Sequence, residues 1–197
     1  VNDVQDVDDE IKFLGETVPD NEQFSPTTAG WRNMKCEELH IPVPKPNIER
    51  RIKKPLGEPL AVGDGNCLFR SVSYEVTLSQ EHHQFFRIAA CNVLRDKRYK
   101  ASFEGKHIRN HLSANDYIKE LKMDKLGTWG TDVDIFTLAT LLNTRIAVFY
   151  RPASAKKPSW YYYYNPEMFS DKLHDMSIYL RNPGNHFERV RSVKTLQ

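Results

Sequence analysis

Two stretches of this 197-residue chain carry the residue types that nucleophilic catalysis needs. The first is Val62-Gly-Asp-Gly-Asn-Cys-Leu-Phe-Arg70. Glycines on both sides of Asp64 let the backbone turn tightly and come close to a ligand. Cys67 follows at the expected first turn of a helix. Unpaired N–H groups and the positive end of the helix dipole favour a thiolate over a thiol there. The same amides can face the oxyanion that acyl transfer creates. The second stretch is Asn182-Pro-Gly-Asn-His186-Phe-Glu188, in which a turn delivers His186 to the start of a terminal strand. Residues two apart on a strand share a face, so Glu188 lies on the side of His186 while Phe187 points away. A base and a carboxylate that orients it are the two partners a thiol nucleophile requires. On spacing alone, a buried, inert thiol is the better explanation of Cys67, since buried free cysteine is common.

The other candidates are weaker. His82 and His83 open a charged helix, and His40 and His174 fall in polar loops or helix ends. Cys36 and His40, like His107 and His111, stand one helical turn apart and could together make a four-ligand zinc site. Neither pair has a finger spacing, and the second lacks the glutamate of a His-Glu-x-x-His helix. A zinc site is therefore not expected.

These residues need elements to position them. The chain has 40% apolar and 11% aromatic residues, enough for one core without a disulfide or metal staple. From Gly57 onward the patterns mix helix and strand. Glu58 to Val62 is a short strand candidate leading into the turn at Gly63–Asn66. A helix is predicted from Cys67, with Leu68, Ser71, Val72 and Glu75 at helical spacing. Ser79 is the expected cap of the next helix, with Phe85, Phe86, Ala89, Ala90, Val93 and Leu94 as its apolar face. Ser113 with Asp116, and Thr131 with Asp134, are spaced as capping boxes, and Asn143 as a left-handed stop. Strands are predicted at Arg145–Tyr150, Trp160–Tyr164, Ser177–Leu180 and His186–Val190. In the tetra-tyrosine Tyr161–Tyr164, alternation should turn two rings inward. The expected class is α+β, a small and mainly antiparallel sheet held between helical layers.

Residues 1–54 read differently, as an N-terminal extension and linker ahead of a domain at 55–192 and a tail at 193–197. They begin with an acidic run and end in a Pro- and charge-rich stretch holding Arg50, Arg51, Lys53 and Lys54. No aromatic residues interleave that basic cluster, so a solvated linker is the better reading. Between these, Thr27–His40 suits one short helix docking through Trp31, Met34 and Leu39. The formal charge is +2, which excludes a nucleic-acid binder working by bulk charge. No apolar run approaches the ~18 residues of a membrane span. Three cysteines are too few for a disulfide framework and fit a reducing intracellular compartment, cytoplasmic or nuclear.

The nucleophile stretch resembles a known family, the ovarian-tumour (OTU) cysteine proteases, which act as deubiquitinases. Asp64-Gly-Asn-Cys67-Leu-Phe-Arg70 is similar to its nucleophile motif. Trp129-Gly-Thr-Asp-Val-Asp134-Ile with Leu138 and Ala139 is similar to its central block, and Asn185-His186-Phe187 to its terminal histidine–aromatic pair. The resemblance spans roughly Gly57 to Val190. It implies Cys67 as nucleophile, His186 as general base, and the amides of Asp64, Gly65, Asn66 and Cys67 as oxyanion hole. The third triad member is left between Glu188, where the family carries Asp or Asn, and Asp64. It further implies a papain-like fold, no cofactor, and ubiquitin or polyubiquitin chains as partners of a monomer, with neither nucleic acid nor membrane. The alternatives are an OTU-like module that holds ubiquitin without cutting it, and a hydrolase of another ubiquitin-like modifier.

Overall fold

Leu68, Phe69, Val72 and Val76 recur at helical spacing, and the helix they form is the hub of the molecule. In the computed structural model, which describes residues 15–18, 22–44, 61–99, 103, 108, 113–151, 156–167, 176–184 and 186–190, this helix is α2 (Cys67–Thr77). It is buried on nearly every side, so its polar groups need partners within the protein. They have them. Ser71 Oγ donates to the Phe187 carbonyl at 3.1 Å, Ser73 Oγ to the Ser79 carbonyl, and Glu75 Oε1 accepts from Arg189 Nε at 2.5 Å.

Around α2 stand α1 (Ala29–Glu38), α3 (His83–Arg95), α4 (Ala114–Leu121) and α5 (Asp132–Leu142). The local signals for the ends of α4 and α5 are met, whereas α3 starts at His83 with His82 as its N-cap and without a side-chain cap, not at Ser79. Ser113 and Asp116 form a capping box on α4. Thr131 N–H donates to Asp134 Oδ2 at 2.8 Å at the start of α5, and Asn143 ends that helix with φ +44°. The face of α3 differs from expectation. Phe86, Ala90, Val93 and Leu94 are buried, but Phe85 is 40% exposed and Arg87 takes an inward position.

Five strands, β1 (Glu16–Thr17), β2 (Arg145–Tyr150), β3 (Ser159–Tyr163), β4 (Ser177–Arg181) and β5 (Glu188–Arg189), form one sheet in the order β1-β3-β2-β4-β5. The β2–β4 pair is parallel and the other three pairs are antiparallel. Helices plus this mixed sheet make the fold α+β. Ile146, Val148, Tyr161, Tyr163, Ile178 and Leu180 join the main core with the helices. Ala147, Tyr162 and Tyr179 form a second cluster on the other face, against Val18, Phe24, Trp160, Tyr164 and Val190. Tyr161 and Tyr163 thus turn inward as alternation requires, but Tyr162 is buried too, its hydroxyl donating to Glu22 at 3.1 Å. The strand expected at 58–62 falls mostly outside the described residues; Ala61 and Val62 are not in a strand.

The N-terminal segment packs against the sheet and the helical core. β1 pairs with the edge of β3, and Ser177 N–H donates to the Ser25 carbonyl at 2.9 Å beside β4. Helix α1 then inserts Trp31 and Cys36 into the core that α2 shares, and Ile41 follows them. Met34, expected to dock, is 41% exposed; Lys35 takes an inward position instead, and Leu39 packs only partly. A boundary at 54/55, and the basic cluster before it, lie outside the described residues.

Asp134 carries a testable consequence. Burial pushes its carboxyl up to about 6, against the Thr131 hydrogen bonds and the Arg87 charge, which favour the ionised form. A carboxyl whose folded pKa lies above its unfolded value binds more protons in the folded state. Its contribution therefore lowers stability as pH rises from about 4 to about 6, by about 2–3 kcal/mol at ~1.4 kcal/mol per pKa unit. Asp134→Asn should remove that part of the slope. Urea midpoints measured from pH 4 to 7 for both proteins check it; parallel curves would exclude Asp134 as the titrating group.

Candidate active site

The spacing of α2 explains how two distant stretches meet. Cys67, Ser71 and Glu75 stand four residues apart and so line one face. Each holds the terminal segment: Phe187 N–H donates to Cys67 Sγ at 3.4 Å, Ser71 binds the Phe187 carbonyl, and Glu75 binds Arg189. Arg189 thereby faces the helix; the expected strand from His186 is shorter, Glu188–Arg189, so alternation sets only Glu188 against Arg189 and not the direction of His186. The residue beside Phe187, His186, is brought over the nucleophile loop. A Cβ built on Gly63 would lie 3.9 Å from His186 Nδ1.

Asp64 and Asn66 shape that loop from within. Asp64 Oδ1 accepts from Asn66 N–H at 3.0 Å, closing an Asx turn, and its two oxygens accept from Arg70 Nε and Nη2. The Arg70 hydrogen bonds hold the Asp64 carboxyl well below the usual carboxylate range. Gly65 has φ +77°, and a Cβ there would come within 2.1 Å of the Gly127 carbonyl oxygen, so no other residue fits. Gly130 is likewise held by close approach, 2.5 Å from any added Cβ to Leu68 Cδ2. Asp64 N–H donates to the Val62 carbonyl and Asn66 N–H to Asp64. Two of the four expected oxyanion amides thus already have acceptors. Among the described residues, those of Gly65 and Cys67 have none.

Glu188 Oε2 accepts from Arg181 Nε at 2.5 Å across the β4–β5 pair. Among the described residues, neither nitrogen of His186 has a hydrogen-bonding partner; Asn185 lies outside them. Cys67 itself is 1% exposed, and Phe187, whose N–H binds its Sγ, lines a cleft of about 320 Å3 with Trp129, Gly130, Asn182 and Gly184. Trp129 is 49% exposed on its rim. The other two cysteines are buried away from it. Burial pushes the Cys36 thiol up, and that of Cys91 up to about 11. Cys36 Sγ donates to the Val76 carbonyl, and no group of three metal-ligating side chains occurs among the described residues; His107 and His111 lie outside them.

Three residues at this site escaped sequence reasoning. Ser71 and Glu75 were read only as helix positions, although their i+4 spacing from Cys67 was visible. Arg87 was passed over inside an apolar helix face, where its charge was itself the signal. It is 0% exposed, with Nη2 donating to the Gly65 carbonyl, Asn66 Oδ1 and the Thr128 carbonyl.

Comparison with known proteins places this arrangement. Residues 62–187 match the family model described as OTU-like cysteine protease. An Arabidopsis thaliana protein named ovarian tumor domain-containing deubiquitinating enzyme 9 is 38% identical over 86 residues, 44% of this chain and 23% of that protein. Human OTU domain-containing protein 4 is 28% identical over 137 residues, 68% of this chain and 11% of that protein. The chain thus spans less than a quarter of the length of these curated relatives. Among solved structures, the OTU domain of OTUD1 superposes with a TM-score of 0.50 at 23% identity, covering 66% of this chain and 82% of that one. The viral OTU domain protease from Dera Ghazi Khan virus gives 0.50 at 21%, covering 68% and 78%. The matched span opens just before the loop that presents Cys67 and closes just after His186, and the chain belongs to the OTU-like cysteine proteases.

Proposed function

We propose that the protein is a cysteine isopeptidase that hydrolyses the bond between ubiquitin's C-terminus and a lysine. The observation that carries this reading is the convergence of Cys67 and His186 on one loop, through the Phe187–Cys67 hydrogen bond, inside the matched family span. The deubiquitinating activity in the name of the Arabidopsis relative supports the substrate class.

This reading implies the following chemistry. His186 takes the Cys67 proton, and the thiolate attacks the isopeptide carbonyl carbon, forming a C–S bond and moving the carbonyl electron pair onto oxygen. The amides of Gly65 and Cys67 receive that oxyanion. Collapse breaks the C–N bond, and the lysine amine leaves with the proton held by His186. Water then attacks the thioester as His186 removes its proton, and the C–S bond breaks to return Cys67. The cleft beside Trp129 and Gly130 admits the substrate's C-terminal tail. No cofactor takes part, and a single copy supplies every group.

The engagement of both candidate carboxylates by arginines favours a second reading, a module that binds ubiquitin without cutting it. Ubiquitin carrying a C-terminal thiol-reactive group separates the two. An adduct mapped to Cys67 supports the enzyme; measurable affinity without an adduct supports the module, and reaction only with another modifier would replace ubiquitin.

Between Glu188 and Asp64, this reading takes Glu188 as the third triad member, because Arg181 holds only its Oε2. Glu188→Gln keeps the size and removes the charge, and should lower turnover at least about tenfold. Asp64→Asn should also lower it, because the Arg70 bonds and the Asx turn that shape the oxyanion loop weaken. Turnover of a fluorogenic ubiquitin substrate by both folded variants decides. Near-normal rates in Glu188→Gln beside a large loss in Asp64→Asn would remove Glu188 from the triad.

A further inference from the structure

Arg87 is a fully buried guanidinium on α3, and every acceptor it reaches lies on one of two loops at the site. Nη2 donates to the Gly65 carbonyl at 3.2 Å, to Asn66 Oδ1 at 2.9 Å and to the Thr128 carbonyl at 2.6 Å. Nη1 donates to the Met123 carbonyl at 3.0 Å, and the Phe69 ring lies 4.2 Å from the guanidinium carbon. Burying a charge is costly, and well-packed apolar residues usually serve a core as well or better. A charge retained here calls for a reason beyond packing.

That reason lies in what the bonds orient. Asn66 is held at Oδ1 by Arg87 and by Gly127 N–H at 3.0 Å, which turns its Nδ2 toward the Asp64 carbonyl at 3.4 Å. In a planar trans peptide the carbonyl and the next N–H point in opposite directions. Fixing the Asp64 carbonyl therefore fixes the Gly65 N–H, one of the two amides without an acceptor among the described residues. The Gly65 carbonyl, also held by Arg87, sets the following peptide, whose N–H closes the Asx turn on Asp64. The bonds to Met123 and Thr128 tie the same guanidinium to the segment that leads into Trp129 and Gly130 on the cleft. One flat fork thus sets the oxyanion donors and the cleft wall against each other, and Lys offers no such planar set of donors.

We propose that Arg87 is a positioning residue that aims the Gly65 N–H at the oxyanion and registers it with the Trp129–Gly130 wall. The proposal rests on the hydrolase reading but not on ubiquitin as substrate. Two reagents separate positioning from mere support. Acylation of Cys67 by p-nitrophenyl acetate passes through a tetrahedral oxyanion, and alkylation by chloroacetamide does not. Both rates are measured in wild type, Arg87→Lys and Arg87→Met, with Cys67→Ala as background, beside urea midpoints. In a folded variant the acylation rate should fall at least about tenfold, the scale of a displaced oxyanion donor, with alkylation within about twofold. On a fluorogenic ubiquitin amide, kcat should fall similarly while KM stays within about threefold. Acylation near the wild-type rate, parallel loss of both rates, no acylation of wild-type Cys67, or failure of both variants to fold would each overturn the proposal. A wild-type protein inert toward ubiquitin that still shows the acylation–alkylation split would sink ubiquitin as substrate and uphold Arg87.

Discussion

Cys67→Ala is expected to abolish cleavage of ubiquitin chains, by at least about 10⁴-fold, while the fold and ubiquitin affinity survive. Of the three cysteines it alone stands behind a turn and at the start of a helix, with His186 brought over its loop. Removing Sγ deletes the atom that forms the thioester and one weak acceptor for Phe187 N–H. Ser71 and Glu75 still hold the terminal segment through Phe187 and Arg189, so His186 should stay in place. Cys91→Ala should behave oppositely. Cys91 is buried on α3, its thiol pushed up to about 11, and its loss should cost about 1 kcal/mol of stability and little turnover. Chain cleavage, ubiquitin titration and urea midpoints for both variants check the pair. Full activity in Cys67→Ala with loss in Cys91→Ala would reverse the assignment.

Deletion of residues 1–44 is expected to unfold the protein, whatever its catalytic groups. The deletion strips Trp31, Cys36 and Ile41 from the core and β1 from the edge of β3. Truncating one buried Trp alone costs about 3–5 kcal/mol, and a domain's whole net stability is about 5–15 kcal/mol. It also removes Thr27, whose Oγ1 donates to Glu75 Oε2 at 3.5 Å, loosening the carboxylate that holds Arg189 and with it β5. Trp31→Ala should show the same effect in milder form, as a lowered urea midpoint with turnover retained while folded. A shortened protein that melts cooperatively and turns over substrate would restore the separable extension.

Local chemistry was legible in the sequence because local rules set it. The capping pairs Ser113–Asp116 and Thr131–Asp134, the left-handed stop at Asn143, the first turn at Cys67 and the strand at Arg145–Tyr150 depend only on neighbours a few residues away. Order along the chain, with helices first and strands late, pointed to the α+β class for the same reason. The candidate nucleophile and base were legible as residue types in turn-rich settings. The meeting of the two stretches that carry them was not. It depends on Ser71 and Glu75 gripping residues more than a hundred positions away, and no local pattern encodes such a pairing. The Pro- and charge-rich texture of the N-terminal region hid Trp31 and Cys36 from a reading by composition, since three or four apolar residues suffice to dock a short helix. Arg87 was the furthest from view. Sequence shows a cation in an apolar stripe, which local rules count as a misfit. Only tertiary structure supplies the carbonyls of Gly65, Met123 and Thr128, from loops that need not be neighbours until the chain folds around that charge.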